Sequence, residues 1–103
     1  MNDELTPVEL NAILDSVMLI DVREPHEYNA GHLENATLIP LQTIPRAIEN
    51  IPRDTDIVLY CRMGGRSGRA LDFFRQQGFT RVSHLRGGLQ AWKRDIDPSL
   101  NVV

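Results

Sequence analysis

An α/β fold, a mostly parallel five-stranded sheet with helices on both faces, follows from three features of this 103-residue sequence. Short apolar runs alternate with segments of helical spacing, the order expected of βα units. The runs are nearly continuous rather than alternating, as in strands covered on both sides. Proline and glycine fall between these segments and punctuate them. The length fits one domain over residues 1–103, large enough for a single core.

Taken in order, Glu4-Leu5 reads as a short edge strand. Thr6 is placed to cap a helix, with Pro7 at its first position and Glu9 completing a capping box. Leu10, Ile13, Leu14 and Val17 keep helical spacing, so this helix is expected to bury one face. Met18 to Val22 reads as a buried strand broken only by Asp21, and His26 to Ala30 as a helical turn closed at Gly31. Ala36 to Ile39 is expected to be a second buried strand, stopped by Pro40. Thr43 to Asn50 predicts a short helix with Ile44, Ala47, Ile48 and Ile51 inward. Ile57 to Tyr60 supplies the central strand, and Ser67 to Gln77 the helix after it, with Gly78 at its C-terminal cap. Val82 to Leu85 gives the last strand, Gly87-Gly88 a turn, and Leu89 to Arg94 a final helix carrying Trp92.

Composition narrows the function. A net charge of -3 argues against a nucleic-acid or anionic-membrane surface. No apolar run is long enough to span a bilayer, and the acidic start M-N-D-E-L lacks the apolar segment of a signal peptide. One cysteine forms no internal disulfide, and no Cys or His cluster shows zinc-site spacing, so neither metal nor cofactor is expected. A reducing, cytoplasmic setting is the default expectation. His26, His32 and His84 read as hydrogen-bonded structural residues.

The chemistry concentrates in D-I-V-L-Y-C-R-M-G-G-R-S-G-R-A, residues 56–70. A strand ending in Cys61, a glycine pair and then a helix is the arrangement that aims backbone N–H groups at one occupant of the turn. In parallel sheets ligands gather beyond the carboxyl ends of strands, where Cys61 falls. A free thiol has a pKa of about 8.5, and a helix N-terminus favours an anion by roughly 0.3–1 kcal/mol, up to about 2 when partly buried. Arg62 and Arg66 are expected to push the same way. Residues 61–75 hold four arginines and one aspartate, a local charge of +3 that suits an anionic substrate. Gly64 and Gly65 are expected to take positive φ and turn their N–H groups inward. Ser67 either caps the helix or gives its hydroxyl to the bound anion. Met63 reads as wall, and Arg69 and Arg75 as solvated surface. No phosphate-loop or dinucleotide fingerprint occurs.

Three segments, D-V-R-E-P-H-E-Y-N-A-G-H-L-E-N-A (21–36), C-R-M-G-G-R-S (61–67) and R-G-G-L-Q-A-W (86–92), resemble the rhodanese family of sulfurtransferases in its single-domain form. The resemblance covers nearly the whole chain. It implies a rhodanese-like fold and a Cys61 that carries sulfane sulfur as a persulfide, cradled by the amides of residues 62 to 66 or 67. Arg62 and Arg66 match loop positions that face substrate, with Met63, Gly64, Gly65 and Ser67 completing the binding loop. Asp21, Arg23, Glu27 and His32 match the first signature, where supporting hydrogen bonds near the site are expected. Trp92 and the Gly87-Gly88 turn match the last signature as packing. Asn35 stands where the family usually has glycine, and asparagine tolerates the left-handed conformation. The tail W-K-R-D-I-D-P is similar to rhodanese domains fused to ubiquitin-activating-like sulfur-transfer enzymes.

The resemblance implies a thiosulfate sulfurtransferase working by double displacement, with a small anionic sulfur donor and cyanide, a thiol or a thioredoxin-like protein as acceptor. No general base is required if the attacking sulfur is already ionised. The alternatives are a cysteine-dependent phosphatase or arsenate reductase, and a non-enzymatic sulfur-carrier or interaction module. Tyrosine phosphatases place five residues between cysteine and arginine; here Arg66 follows Cys61 after four, a loop sized for one sulfur atom rather than a tetrahedral oxyanion.

Overall fold

The sheet in a computed structural model, which describes residues 2–103, has five strands in the order β1-β5-β4-β2-β3, every pairing parallel. They are β1 (Glu4–Leu5), β2 (Met18–Asp21), β3 (Thr37–Leu38), β4 (Ile57–Tyr60) and β5 (Val82–Leu85). Between and after them run α1 (Pro7–Ala12), α2 (Pro25–Ala30), α3 (Ile44–Ala47), α4 (Gly65–Gln76) and α5 (Gly88–Asp95). β4 lies in the middle and all four of its residues are buried.

Because side chains alternate along a strand, β4 divides the core in two. Ile57, Leu59 and then Cys61 face one side, packed with Ile20, Val22, Ile44, Ile48, Ala70, Leu71 and Phe74. Val58 and Tyr60 face the other, with Leu10, Leu19, Leu85, Leu89 and Trp92. Cys61 is therefore delivered to the α4 side by the pleat itself. On β5 the same alternation sets Val82 and His84 on that side. Leu59 and Glu4 are the register partners of His84 on β4 and β1.

The helix signals resolve locally. Thr6 and Glu9 form the expected capping box, with Thr6 Oγ1 accepting from the Glu9 N–H and Glu9 Oε1 from the Thr6 N–H. α4 ends in a Schellman turn: Gly78 (φ 90°) donates to Arg75 O at 3.0 Å and Phe79 to Phe74 O at 3.1 Å. The Phe74 and Phe79 rings meet edge to face at 4.9 Å across that turn.

Four sequence expectations change. The first helix stops at Ala12; Ile13 leaves helical dihedrals (φ -121°, ψ 15°) and a 3₁₀ turn over Leu14–Ser16 follows. The chain must straighten there, since Met18 already pairs with Ile57. Ile13, Leu14 and Val17 are accordingly half-buried. β3 is an edge strand of two residues with Thr37 exposed, not a strand buried on both sides. The Thr43–Asn50 helix is split into 3₁₀, α and 3₁₀ turns, though Ile44, Ile48 and Ile51 are buried as expected. α4 begins at Gly65, two residues before Ser67. No helix among the described residues is long and apolar enough to cross a membrane.

Asn35 is the one non-glycine residue with positive φ (67°) among the described residues. The left-handed conformation costs an ordinary L-residue about 1–2 kcal/mol. Asn35→Ala should lower the unfolding free energy measured by chemical denaturation by about that amount, while Asn35→Gly leaves it nearly unchanged; equal effects would show that the side chain matters for another reason.

Candidate active site

The site is assembled where β4 ends against the N-terminus of α4. Cys61 is 1% exposed, yet its sulfur is not surrounded by hydrocarbon alone. Sγ accepts from the Gly64 N–H at 3.1 Å and from the Ser67 N–H at 3.3 Å, and lies 3.5 Å from Ser67 Oγ. Burial pushes the thiol up, but the Ser67 hydroxyl and the amides of Ser67, Gly64 and Met63 outweigh it and hold the thiol below its ordinary value. Hydrogen bonds to the sulfur make the largest favourable contribution, and the Arg66 guanidinium couples to the same charge.

Of the glycine pair only Gly64 needs to be glycine for its conformation. It is the N-cap of α4 at φ 110°. Gly65 is the first helical residue, has no positive φ, and a Cβ there would meet nothing within 4 Å. Ser67 is not the cap either. It sits inside the first turn, fully buried, with its hydroxyl 3.3 Å from Gly64 O and 2.8 Å from His84 Nδ1.

The third signature does more than pack. Leu89 N–H donates to Cys61 O at 2.9 Å and Gln90 N–H to Arg62 O at 3.0 Å. A trans peptide carries its C=O and the following N–H in opposite directions. Drawing the carbonyls of residues 61 and 62 toward α5 therefore turns the N–H groups of Arg62 and Met63 the other way. The Met63 amide is among those that stabilise the thiolate. Gly88 makes the approach close enough: at φ 62°, a Cβ there would lie 2.5 Å from Arg62 C and O and from Cys61 O.

Cys61, Arg62, Met63, Gly65, Arg66 and Arg69 line an open depression of about 250 Å³. Met63 forms its exposed rim, as expected of a wall residue. Arg69 is exposed, as expected, and also joins the lining, set beside Arg66 by the helical i, i+3 spacing. The Nε of Arg62 is shielded from solvent and has no acceptor among the described residues. Arg66 is not free: it makes a forked pair with Glu27 at 2.6 and 2.9 Å. That guanidinium, helped by the Glu24 N–H, brings the Glu27 carboxyl down to about 2 against the cost of burial.

The supporting residues divide. Glu27 reaches the loop through Arg66. Asp21 and Arg23 form a fully buried pair at 2.8 Å, and Arg23 Nη2 also donates to Gly31 O at 2.7 Å, tying the end of β2 to the end of α2. Arg23 lies over the Tyr60 ring, 5.9 Å from its centroid, so the pair braces the strand that carries Cys61. His32 lies apart from the depression, exposed, stacked on Tyr28 at 3.6 Å with its Nδ1 donating to Tyr28 O. His84 and Glu4 enter the neighbourhood unannounced by any motif: Nε2 of His84 is 3.3 Å from Glu4 Oε2.

Fold and site together define a parallel α/β domain with a thiol held by main-chain donors at a strand–helix junction. Residues 6–95 match the rhodanese-like domain, and the chain belongs to that family. It is 44% identical over 80 residues to a sulfurtransferase of Allochromatium vinosum, covering 78% of this chain and 75% of that protein. It is 40% identical over 101 residues to the probable adenylyltransferase/sulfurtransferase MoeZ of Mycobacterium tuberculosis, covering 93% of this chain and 26% of that protein. The chain thus spans about a quarter of MoeZ. A rhodanese-related protein from Thermoplasma volcanium superposes with a TM-score of 0.85 at 27% identity, covering 99% of this chain and 98% of that one.

Two outcomes follow from this geometry. Gly88→Ala should displace the backbone at 61–62 and slow alkylation of Cys61 at neutral pH by roughly tenfold; an unchanged rate would mean that α5 does not orient the cradle. Glu27 has a depressed carboxyl, so its contribution to stability is complete above about pH 4.5 and drains as pH falls toward about 2. Glu27→Gln should flatten that limb of the stability–pH curve in acid denaturation experiments.

Proposed function

We propose that this chain is a sulfurtransferase that passes sulfane sulfur through a persulfide on Cys61. The carrying observation is a buried sulfur supplied with main-chain donors and a hydroxyl, at the floor of a depression lined by arginines. Membership of the rhodanese-like family, and the names of the Allochromatium and Mycobacterium relatives, support the same reading.

In this reading Cys61 thiolate attacks the outer sulfur of thiosulfate. A bond forms between Sγ and that sulfur, the bond to the sulfite sulfur breaks, and sulfite leaves with the electron pair. Arg62 and Arg69 face the departing charge, with Arg66 held at the rim by Glu27. An acceptor thiolate or cyanide then attacks the outer persulfide sulfur and Cys61 departs as thiolate. Two half-reactions joined by a covalent intermediate give ping-pong kinetics. The exposed rim around Met63 also leaves room for a protein acceptor, such as a thioredoxin-like thiol, in a cytoplasmic setting. Phosphoryl transfer fits less well, because Arg66 spends its fork on Glu27 instead of holding it open for a tetrahedral oxyanion. An interaction module without chemistry would gain nothing from a thiol held below its ordinary pKa.

After thiosulfate treatment the intact protein should gain about 32 Da, one sulfur atom, which cyanide removes as thiocyanate. Cys61→Ser should show neither, and turnover retained in that variant would overturn the reading. Arg62→Ala should raise KM for thiosulfate by roughly ten- to a hundredfold, the scale of a lost hydrogen bond to a charged group.

A further inference from the structure

Leading inward from Cys61 at the depression, four side chains form an uninterrupted polar file. Cys61 Sγ lies 3.5 Å from Ser67 Oγ, Ser67 Oγ 2.8 Å from His84 Nδ1, and His84 Nε2 3.3 Å from Glu4 Oε2. The members come from the end of β4, from α4, from β5 and from β1. Ser67 is fully buried and the His84 side chain is 10% exposed, so bulk water does not carry protons along the inner part of this route.

What each group can donate fixes the pattern. A carboxylate only accepts, so His84 Nε2 carries a hydrogen toward Glu4. In the neutral ring Nδ1 is then an acceptor, and Ser67 must donate to it. Ser67 owns one hydrogen; committed to His84, it can only accept from the Cys61 S–H. Ionised sulfur favours the opposite: the Ser67 hydrogen turns toward the thiolate, a stronger acceptor than the Gly64 carbonyl 3.3 Å away, and Nδ1 then holds a hydrogen to give to Ser67. The two patterns differ by the concerted passage of protons along the file.

We propose that Ser67 relays the Cys61 proton to His84, with Glu4 fixing the ring that receives it. The S–H bond breaks as Ser67 Oγ takes that proton, while the original Ser67 proton forms the N–H bond at Nδ1. The products are a Cys61 thiolate and a His84 imidazolium paired with Glu4; no electrons change hands and the net charge of the set is conserved. Ser67 touches the reacting sulfur, whereas His84 and Glu4 are positioning residues that act through it. The other charged groups around the file are Arg62, Arg66 and Arg69 at the Cys61 end, Arg86, 3.4 Å from Glu4, and the Asp3–Arg75 pair at 2.6 Å; Gly68 and Leu59 flank the ring without charge.

This relay rests on Cys61 being the nucleophile of the proposed sulfurtransferase, but its test needs no sulfur transfer. Cys61 is the only cysteine, so the rate of alkylation by iodoacetamide against pH reports its thiolate alone. His84→Asn keeps a polar partner for Ser67 but cannot store the proton, and should move the alkylation profile upward by about one pH unit, a roughly tenfold slower reaction on the acidic limb. Glu4→Gln, an isosteric change at a partly exposed position, should move it the same way by less, and carries the test if His84→Asn does not fold. In a Ser67→Ala background His84→Asn should add nothing, because the ring reaches the sulfur only through that hydroxyl. Profiles of His84→Asn and Glu4→Gln that superimpose on the parent, or a His84 effect that persists in full without Ser67, would overturn the relay. Shifted profiles in a protein that forms no persulfide from thiosulfate would uphold the relay and sink the sulfurtransferase reading instead.

Discussion

A buried sulfur can stay ionised only if hydrogen-bond donors replace the water it has lost, and most of this molecule is arranged around that requirement. At Cys61 burial works against the anion, and the Ser67 hydroxyl with three main-chain amides reverses the sign. Neutral donors suit this task. They do not have to be desolvated as ions, and rigid backbone keeps them aimed without reorganisation.

The charged groups serve geometry more than field. Arg66 is fixed by Glu27, which is itself fixed by the Glu24 N–H at the start of α2. Asp21 and Arg23 are fully buried, and an ion pair so placed contributes little net stability because desolvation offsets attraction. Its consequence is angular: the ends of β2 and α2 are locked beside the end of β4. The positive local charge counted along residues 61–75 is therefore smaller in space than in sequence. Of its four arginines, Arg66 answers Glu27 and Arg75 answers Asp3.

What the sequence makes legible is whatever depends on neighbours along the chain. The Thr6–Glu9 capping box, the Gly78 turn, the β4 run and the Cys61 loop are all local patterns, and all form where the residues indicate. The misreadings have a common origin in pairing between distant segments. Thr37 and Leu38 carry apolar character enough for a strand, but only the sheet order makes them an edge. Gly64 and Gly65 are alike as letters; the point at which α4 begins separates a left-handed cap from an ordinary helical residue. His84 reads as a hydrogen-bonded structural histidine, and only the pairing of β5 with β1 and β4 shows that its partners are Ser67 and Glu4. The alternation of Val82 to Leu85 does contain the clue, since it sets His84 on the face of Leu59 and Cys61, but only once the register is known. His32 has the structural hydrogen bond read for it, to Tyr28 O, but lies at the surface away from the depression despite its place in a signature.

The peptide planes at residues 61–63 are held by amides from the start of α5, far downstream in the chain, across the bare α-carbon of Gly88. The heptapeptide from Cys61 to Ser67 is thus not a portable unit. Transplanted onto another strand–helix turn, it would bring the thiol and its glycine cap but leave the Met63 amide unsteered. A designer borrowing this chemistry has to borrow the Gly87-Gly88 corner and the opening of the last helix along with it.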